Sequence, residues 1–174
     1  MGPGARLQGG ETNVTQRWQI SVQTQDFDPG AEIEALRGAA NGAIVSFVGV
    51  ARDSSDGFPV QRINLEHYAA MTQRCLEEIV RQAHARWSLN GVRLIHRYGE
   101  LRPGDRIVLV ATASVHREHA FDGCRFIIDY LKTQAPFWKQ ESGSQGSRWV
   151  EARASDENAV RNWMGAPDRV KDRQ

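Results

Sequence analysis

The stretch VRLIHRYGELRPGDRIVLVATAS, Val92 to Ser114, holds two strand-like runs, Val92 to Tyr98 and Arg106 to Ser114, joined through Arg102-Pro103-Gly104-Asp105. The Pro-Gly pair is a turn signal, so the two runs read as a hairpin. Neighbouring strands joined by a hairpin are antiparallel, which steers the chain away from an all-parallel sheet.

Upstream, Trp18 to Gln25 alternates like a strand, and Asp28-Pro29 offers an N-cap and an N1 proline for a short helix ending at Gly38. Gly42 to Val50, GAIVSFVGV, is an almost unbroken apolar run that predicts a strand buried on both faces. Arg52, Asp53 and the polar stretch to Pro59 read as a loop, and Val60 to Tyr68 resumes alternation. From Ala69 to Trp87 the apolar residues Met71, Cys75, Leu76, Ile79, Val80, Ala83 and Trp87 follow helical spacing.

Downstream, a second long helix starts near His116 or Arg117, carries Ala120, Phe121, Cys124, Ile127, Ile128 and Leu131 on one face, and stops at Pro136. Arg148 to Ala152 reads as a last short strand. The order β-α-β-β-α-β-β-α-β defines an α+β class with a mixed or antiparallel sheet and packed helices. Residues 17–164 form a single domain in this reading, after a Gly-rich, disordered leader over 1–16 and before a charged tail over 165–174.

A chain of 174 residues is the size of one domain. Its net charge of +1 argues against a general nucleic-acid or membrane surface, so any cationic site must be local. Cys75 and Cys124 stand apart in apolar-periodic stretches and read as small buried hydrophobes rather than as a disulfide or zinc framework. No run is apolar enough for a membrane span, and Met1 to Arg6 lacks a secretory h-region, so a cytoplasmic protein is expected. No metal-ligand cluster is visible, and neither metal nor cofactor is expected.

Three places carry candidate chemistry. Lys132 and Lys139 bracket Pro136-Phe137-Trp138, where a helix ends, and would offer a last-turn lysine and a loop lysine to one cationic, partly apolar pocket. Ser114-Val115-His116-Arg117 passes from strand into helix, where free backbone N–H groups favour an anion. Arg52 follows a buried strand, where binding residues gather. Each has a plainer alternative: solvated lysines, a surface His-Arg pair, and an exposed Arg52–Asp53 ion pair. Lysine beside a second cation is a candidate acid–base group or covalent nucleophile, and Glu141 accompanies the pair.

Several motifs together resemble one family. They are Gly42 to Gly49, Leu65-Glu66-His67-Tyr68, Ile95-His96-Arg97-Tyr98-Gly99-Glu100-Leu101, Pro103-Gly104-Asp105, His116-Arg117, Asp129-Tyr130-Leu131-Lys132, Pro136-Phe137-Trp138-Lys139 and Trp149-Val150-Glu151-Ala152. In this order, from about Trp18 to Trp163, they resemble the catalytic (large) subunit of molybdopterin synthase. The resemblance implies an α/β-hammerhead-like fold and a sulfurtransferase of molybdenum cofactor biosynthesis. Such an enzyme converts cyclic pyranopterin monophosphate into molybdopterin by adding two dithiolene sulfurs. The sulfur would come from a small ubiquitin-like subunit bearing a thiocarboxylate on its C-terminal Gly-Gly tail, within a heterotetramer built on a homodimer of the large subunit.

By the same resemblance Lys132 and Lys139 are the catalytic lysines, and Arg52, His116 and Arg117 form the pterin-phosphate pocket. Val50, Ala51, Gln140 and Glu141 line the site, and Arg153 reaches across from a partner protomer. The family often has a basic residue where this chain has Gln140, and the leader has no counterpart.

Helical geometry adds a constraint that does not depend on the resemblance. Sixteen residues at about 1.5 Å each put His116 and Lys132 roughly 24 Å apart along one helix. A pterin cannot touch both, so either one of them is not a ligand or the site draws on two protomers. The composite arrangement is the expectation. A non-catalytic module that docks an extended acidic tail on Phe137, Trp138 and the lysines is the competing function.

Overall fold

The computed structural model describes residues 18–150 and 154–164; the expected leader, the tail and Arg153 lie outside them. The elements run β1 (Trp18–Gln23), α1 (Pro29–Glu34), β2 (Ala43–Val50), β3 (Ser54–Ser55), β4 (Phe58–Pro59), β5 (Arg62–His67) and α2 (Ala69–Arg86). They continue with β6 (Leu89–Arg97), β7 (Gly99–Leu101), β8 (Arg106–Ser114), α3 (Arg117–Gln134), β9 (Phe137–Gly143), β10 (Gly146–Val150) and α4 (Ala154–Met164). This is the α+β class read from the sequence.

The hairpin expectation is met by β6 and β8, which pair antiparallel with Val92 opposite Thr112. Between them β7 leaves the sheet and pairs with β5 instead. Two four-stranded sheets result, a mixed one in the order β1-β6-β8-β2 and an antiparallel one in the order β10-β9-β5-β7. Gly104 takes φ +92 in the Arg102–Asp105 turn, the left-handed conformation that a Pro-Gly type II turn requires at that position.

The principal core lies where α2, α3 and α4 cover the mixed sheet. Leu76, Ile79 and Val80 of α2 meet Val92 and Leu94 of β6, Val110 of β8, and Phe126 and Ile127 of α3. Two side chains of the expected helical stripes point outward: Met71 is 56% exposed and Phe121 is 60% exposed. Phe126 takes the core position, because the buried face of α3 is set by contact with both α2 and β8.

The expectation that Gly42 to Val50 is buried on both faces needs correcting. β2 is an edge strand paired to β8 alone among the described residues, with Phe47 36% and Val50 48% exposed. Ile44 and Val48 pack on one face of the sheet and Val45 on the other. Apolar composition therefore reflects what the two faces meet, not whether both edges of the strand are hydrogen-bonded.

Candidate functional site

Pro136 ends α3, and the chain re-forms at once as β9 rather than as the loop expected around Lys139. Ala135 is already extended at ψ 128, as a residue before proline must be, and Phe137 and Trp138 are strand formers. Period-two alternation then sends Phe137, Lys139 and Glu141 to one face and Trp138 and Gln140 to the other. Phe137 stacks on His96 at 3.7 Å, while Trp138 meets Tyr68 edge-on at 5.1 Å on the outer face. The two aromatic residues therefore do not share one pocket wall.

Lys139 is fixed by Glu141, a carboxylate only 1% exposed, with Nζ 2.7 Å from Oε1. Arg148 of β10 donates to the other oxygen, Oε2, from Nη2 at 3.0 Å and Nε at 3.2 Å, and to the Ser55 carbonyl at 2.7 Å. Burial pushes the Glu141 carboxyl up, but hydrogen bonds from Lys139 and Arg148 outweigh it and hold the group below its ordinary range. Glu141 thus stays ionised and orients Lys139, and any effect on a ligand passes through that lysine. Gln140 stands opposite Asn64 and Trp149 on the outer face.

Lys132 occupies the last turn of α3, where the helix dipole favours a cation. Its Nζ lies 3.6 Å from Asp156 of α4, and the side chain is 55% exposed. α4 is itself anchored to α3 through Trp163, whose Nε1 donates to Asp129 at 2.8 Å. The sequence reading assigns no element to residues 154–164; an amphipathic helix forms there, with Val160 and Trp163 facing the core.

Val50 is exposed and Ala51 is buried, its N–H donating to the Asp105 carbonyl and its carbonyl accepting from Gly104 N–H, each at 2.8 Å. The Pro-Gly turn thus fixes the residue before Arg52. Arg52 itself is exposed and makes no ion pair among the described residues, so the Arg52–Asp53 pairing does not form. Ala51 shares a cluster with Leu65, the register partner of Lys139. The structure therefore brings the 50–52 segment and Lys139 to the same end of the molecule.

His116 and Arg117 are at the other end. His116 is the extended N-cap residue of α3, without a side-chain cap bond, and its ring lies 5.6 Å from His119. Both His116 and Arg117 are exposed, and Arg117 has no carboxylate partner among the described residues. In the β2–β8 pair Ala43 stands opposite Ser114 and Val50 opposite Arg106. At about 3.3 Å per residue, Arg52 and His116 are on the order of 30 Å apart.

α3 runs back along β8, as the bonds from Thr112 Oγ1 to the Ala120 carbonyl and from Cys124 Sγ to the Val110 carbonyl show. Lys132 therefore returns to the end that carries Arg52. Within one chain the candidate residues form two groups, His116 with Arg117, and Arg52 with Lys132 and Lys139. The single phosphate pocket of Arg52, His116 and Arg117 is not assembled by one copy.

Arg148 and His96 were missed by the sequence reading. The run Ser142-Gly143-Ser144-Gln145-Gly146-Ser147 is a hairpin signal that would have set Arg148 opposite Glu141. Burial pushes the His96 ring down to about 4, so it stacks on Phe137 as a neutral imidazole. Neither cysteine is an activated thiolate: burial raises Cys124 to about 12, and burial with the nearby Glu78 raises Cys75.

Fold and site together define an α+β protein in which Arg52 and Arg117 are exposed without a carboxylate partner among the described residues and Lys139 is held by the Glu141 carboxylate. A family profile described as MoaE protein matches residues 22–134. The molybdopterin synthase catalytic subunit of Ralstonia nicotianae is 54% identical over 146 residues, covering 83% of this chain and 83% of the relative. That of Escherichia coli K12 is 49% identical over 146 residues, covering 83% of this chain and 97% of the relative. A solved structure titled a molybdopterin biosynthesis MoaE protein, from Burkholderia ambifaria, superposes with TM-score 0.72 at 46% identity, covering 84% of this chain and 98% of that one. The chain belongs to the MoaE family, whose members include these molybdopterin synthase catalytic subunits.

Proposed function

We propose that the chain is the catalytic subunit of a molybdopterin synthase, converting cyclic pyranopterin monophosphate into molybdopterin with sulfur carried by a small ubiquitin-like subunit. The observation that carries the reading is Lys139 held on β9 by the buried, ionised Glu141, close in the fold to the Arg52 loop and the Lys132 end of α3. The cysteines support it from another side. With both thiols raised in pKa, this chain has no ready sulfur nucleophile, so the sulfur must arrive on a carrier.

In this mechanism the carrier's C-terminal thiocarboxylate attacks an oxygen-bearing carbon of the pterin side chain, and the carbon–sulfur bond forms as that carbon's bond to a phosphate or hydroxyl oxygen breaks, the oxygen leaving with the electron pair. Adding water to the acyl carbon then breaks the acyl–sulfur bond, leaving sulfur on the pterin and a carboxylate on the tail. Lys132, exposed at a helix end, moves protons or holds the acyl group transiently, and Lys139 stabilises the negative charge that develops on oxygen. Arg52, His116 and Arg117 grip the phosphate, the last two from a second copy of the chain, with Val50, Ala51 and Gln140 as lining and Arg153 reaching across. Two such copies and two carriers make a closed heterotetramer. Free thiols suit a reducing, cytoplasmic compartment.

Reconstitution with thiocarboxylated carrier and pterin precursor tests the reading through dithiolene product. Lys132→Ala is expected to abolish product with the fold intact; near-normal turnover removes its role. Mixing Lys132→Ala with His116→Ala chains is expected to restore part of the activity in hybrid dimers, and verified hybrids without activity refute the shared site.

A further inference from the structure

β3 and β4 pair only Ser54 with Pro59 and Ser55 with Phe58, closed by Asp56 and Gly57 at φ +49 and +79. These are the left-handed conformations of a two-residue hairpin turn, which an Asp-Gly pair accepts. A two-stranded ribbon this short is not stable alone, so its place must be set by tertiary contacts. That place matters because Arg52 lies just before it, and the Arg52 side chain makes no ion pair of its own among the described residues. Arg148 supplies the chief of those contacts. Its Nη2 donates to the Ser55 carbonyl at 2.7 Å, and its guanidinium carbon lies 4.5 Å from the centre of the Phe58 ring, so one side chain holds both strands of the hairpin. The same fork donates to Glu141 from Nε at 3.2 Å and Nη2 at 3.0 Å, and Glu141 in turn holds Lys139 at 2.7 Å.

Ser55 is buried, and the base of the hairpin is closed by bonds from Val60 N–H to the Asp53 carbonyl and from Gln61 N–H to the Ser142 carbonyl. Pro59 sits so close to β9 that a Cβ at Gly143 would collide with its carbonyl. On its other side Arg52 follows Ala51, which is tied to the Pro-Gly turn. Arg52 is thus strung between two anchored segments, and Arg148 anchors one of them. We infer that Arg148 is a positioning residue for the pterin phosphate: by tying the 53–59 hairpin to the carboxylate that holds Lys139, it fixes the spacing of Arg52 from Lys139. This rests on the place given to Arg52 in the phosphate pocket proposed above. The role needs a rigid fork, since three bonds run from two nitrogens of Arg148 to acceptors on two different elements. A planar guanidinium spans them, whereas a lysine has a single nitrogen. Arg148→Lys therefore keeps the charge and drops the coupling.

A double-mutant cycle of Arg148→Lys with Arg52→Ala, in the full chain with thiocarboxylated carrier, tests the coupling. Arg148→Lys alone is expected to raise the KM for the pterin precursor about tenfold, with the KM for the carrier within about twofold of wild type. In the Arg52→Ala background the same change should move the pterin KM by less than about twofold, because the residue it positions is gone. A general loss of structure would instead multiply through both backgrounds and both substrates. Hydrogen exchange read by mass spectrometry gives a second measure without turnover. Amides of residues 53–60 should exchange about tenfold faster in Arg148→Lys, and those of α2 at the wild-type rate. Phe58→Leu loosens the hairpin without touching Glu141 and serves if the arginine variant does not fold; it should raise the pterin KM roughly threefold. A pterin KM within about twofold of wild type in the latch variant that folds, equal effects of Arg148→Lys in both backgrounds, or unchanged exchange at 53–60 overturns the positioning role. If Arg52→Ala by itself leaves the pterin KM unchanged, the phosphate pocket proposed above is wrong and the positioning role falls with it.

Discussion

Replacing Glu141 with glutamine keeps its volume and removes the charge that positions Lys139. The carboxylate is 1% exposed and takes Lys139 at 2.7 Å and Arg148 at 3.0 Å. Hydrogen bonds to charged groups contribute about 1.5–3 kcal/mol each, but the two cations are 32% and 37% exposed and regain water when released. The net loss should therefore be about 2 kcal/mol. At about 2–4 °C per kcal/mol for a domain of this size, the melting midpoint should fall by about 4–8 °C. The gap depends on pH in a determined direction. The folded carboxyl titrates below its ordinary value of 4.5, so its contribution is complete above that value and disappears as pH falls through the lowered one. Thermal melts of wild type and Glu141→Gln should differ most at neutral pH and converge in acid, with turnover reduced as Lys139 loses its anchor. A gap that is constant with pH, or full activity in the variant, refutes the role given to this carboxylate.

Lys132→Ala should shift stability by less than about 1 kcal/mol in a denaturant titration, because its pairing with Asp156 is exposed, while product formation is lost. His96 resists protonation down to about 4 when folded, so acidification from about 6.5 towards 4 should favour the unfolded chain, which takes the proton. His96→Phe should flatten that part of the melting-midpoint profile. A Cβ at Gly42 would sit 2.2 Å from the Val115 carbonyl, next to His116. Gly42→Ala should cost about 1–3 kcal/mol and weaken pterin binding, measured by calorimetry, more than a distant substitution of equal cost does.

The long helices were readable because their signal is local. Ile79, Val80 and Ala83 on α2, and Ala120, Cys124 and Ile127 on α3, repeat at helical spacing and are buried as that spacing implies. Asp28 and Pro29 announced α1, and the Asp28 Oδ1 does accept from Gly30 N–H at 2.8 Å. Lys132 at a helix end was legible for the same cause. Lys139 as a strand residue was not, since β9 exists by pairing with β5, far back in the chain. Phe121 and Phe126 look equally suited to the core in one dimension; contact with Trp87 and Trp163 selects Phe126.

Residue order alone therefore carried the α+β class, the two major helices, the unactivated character of both cysteines and the motifs of the MoaE family. The division into two sheets, the Glu141 bridge from Lys139 to Arg148, and the separation of His116 from Arg52 arose on folding. Periodicity and caps act over a few residues, whereas strand partners, buried ion pairs and the distance between helix ends depend on segments that meet across the whole chain.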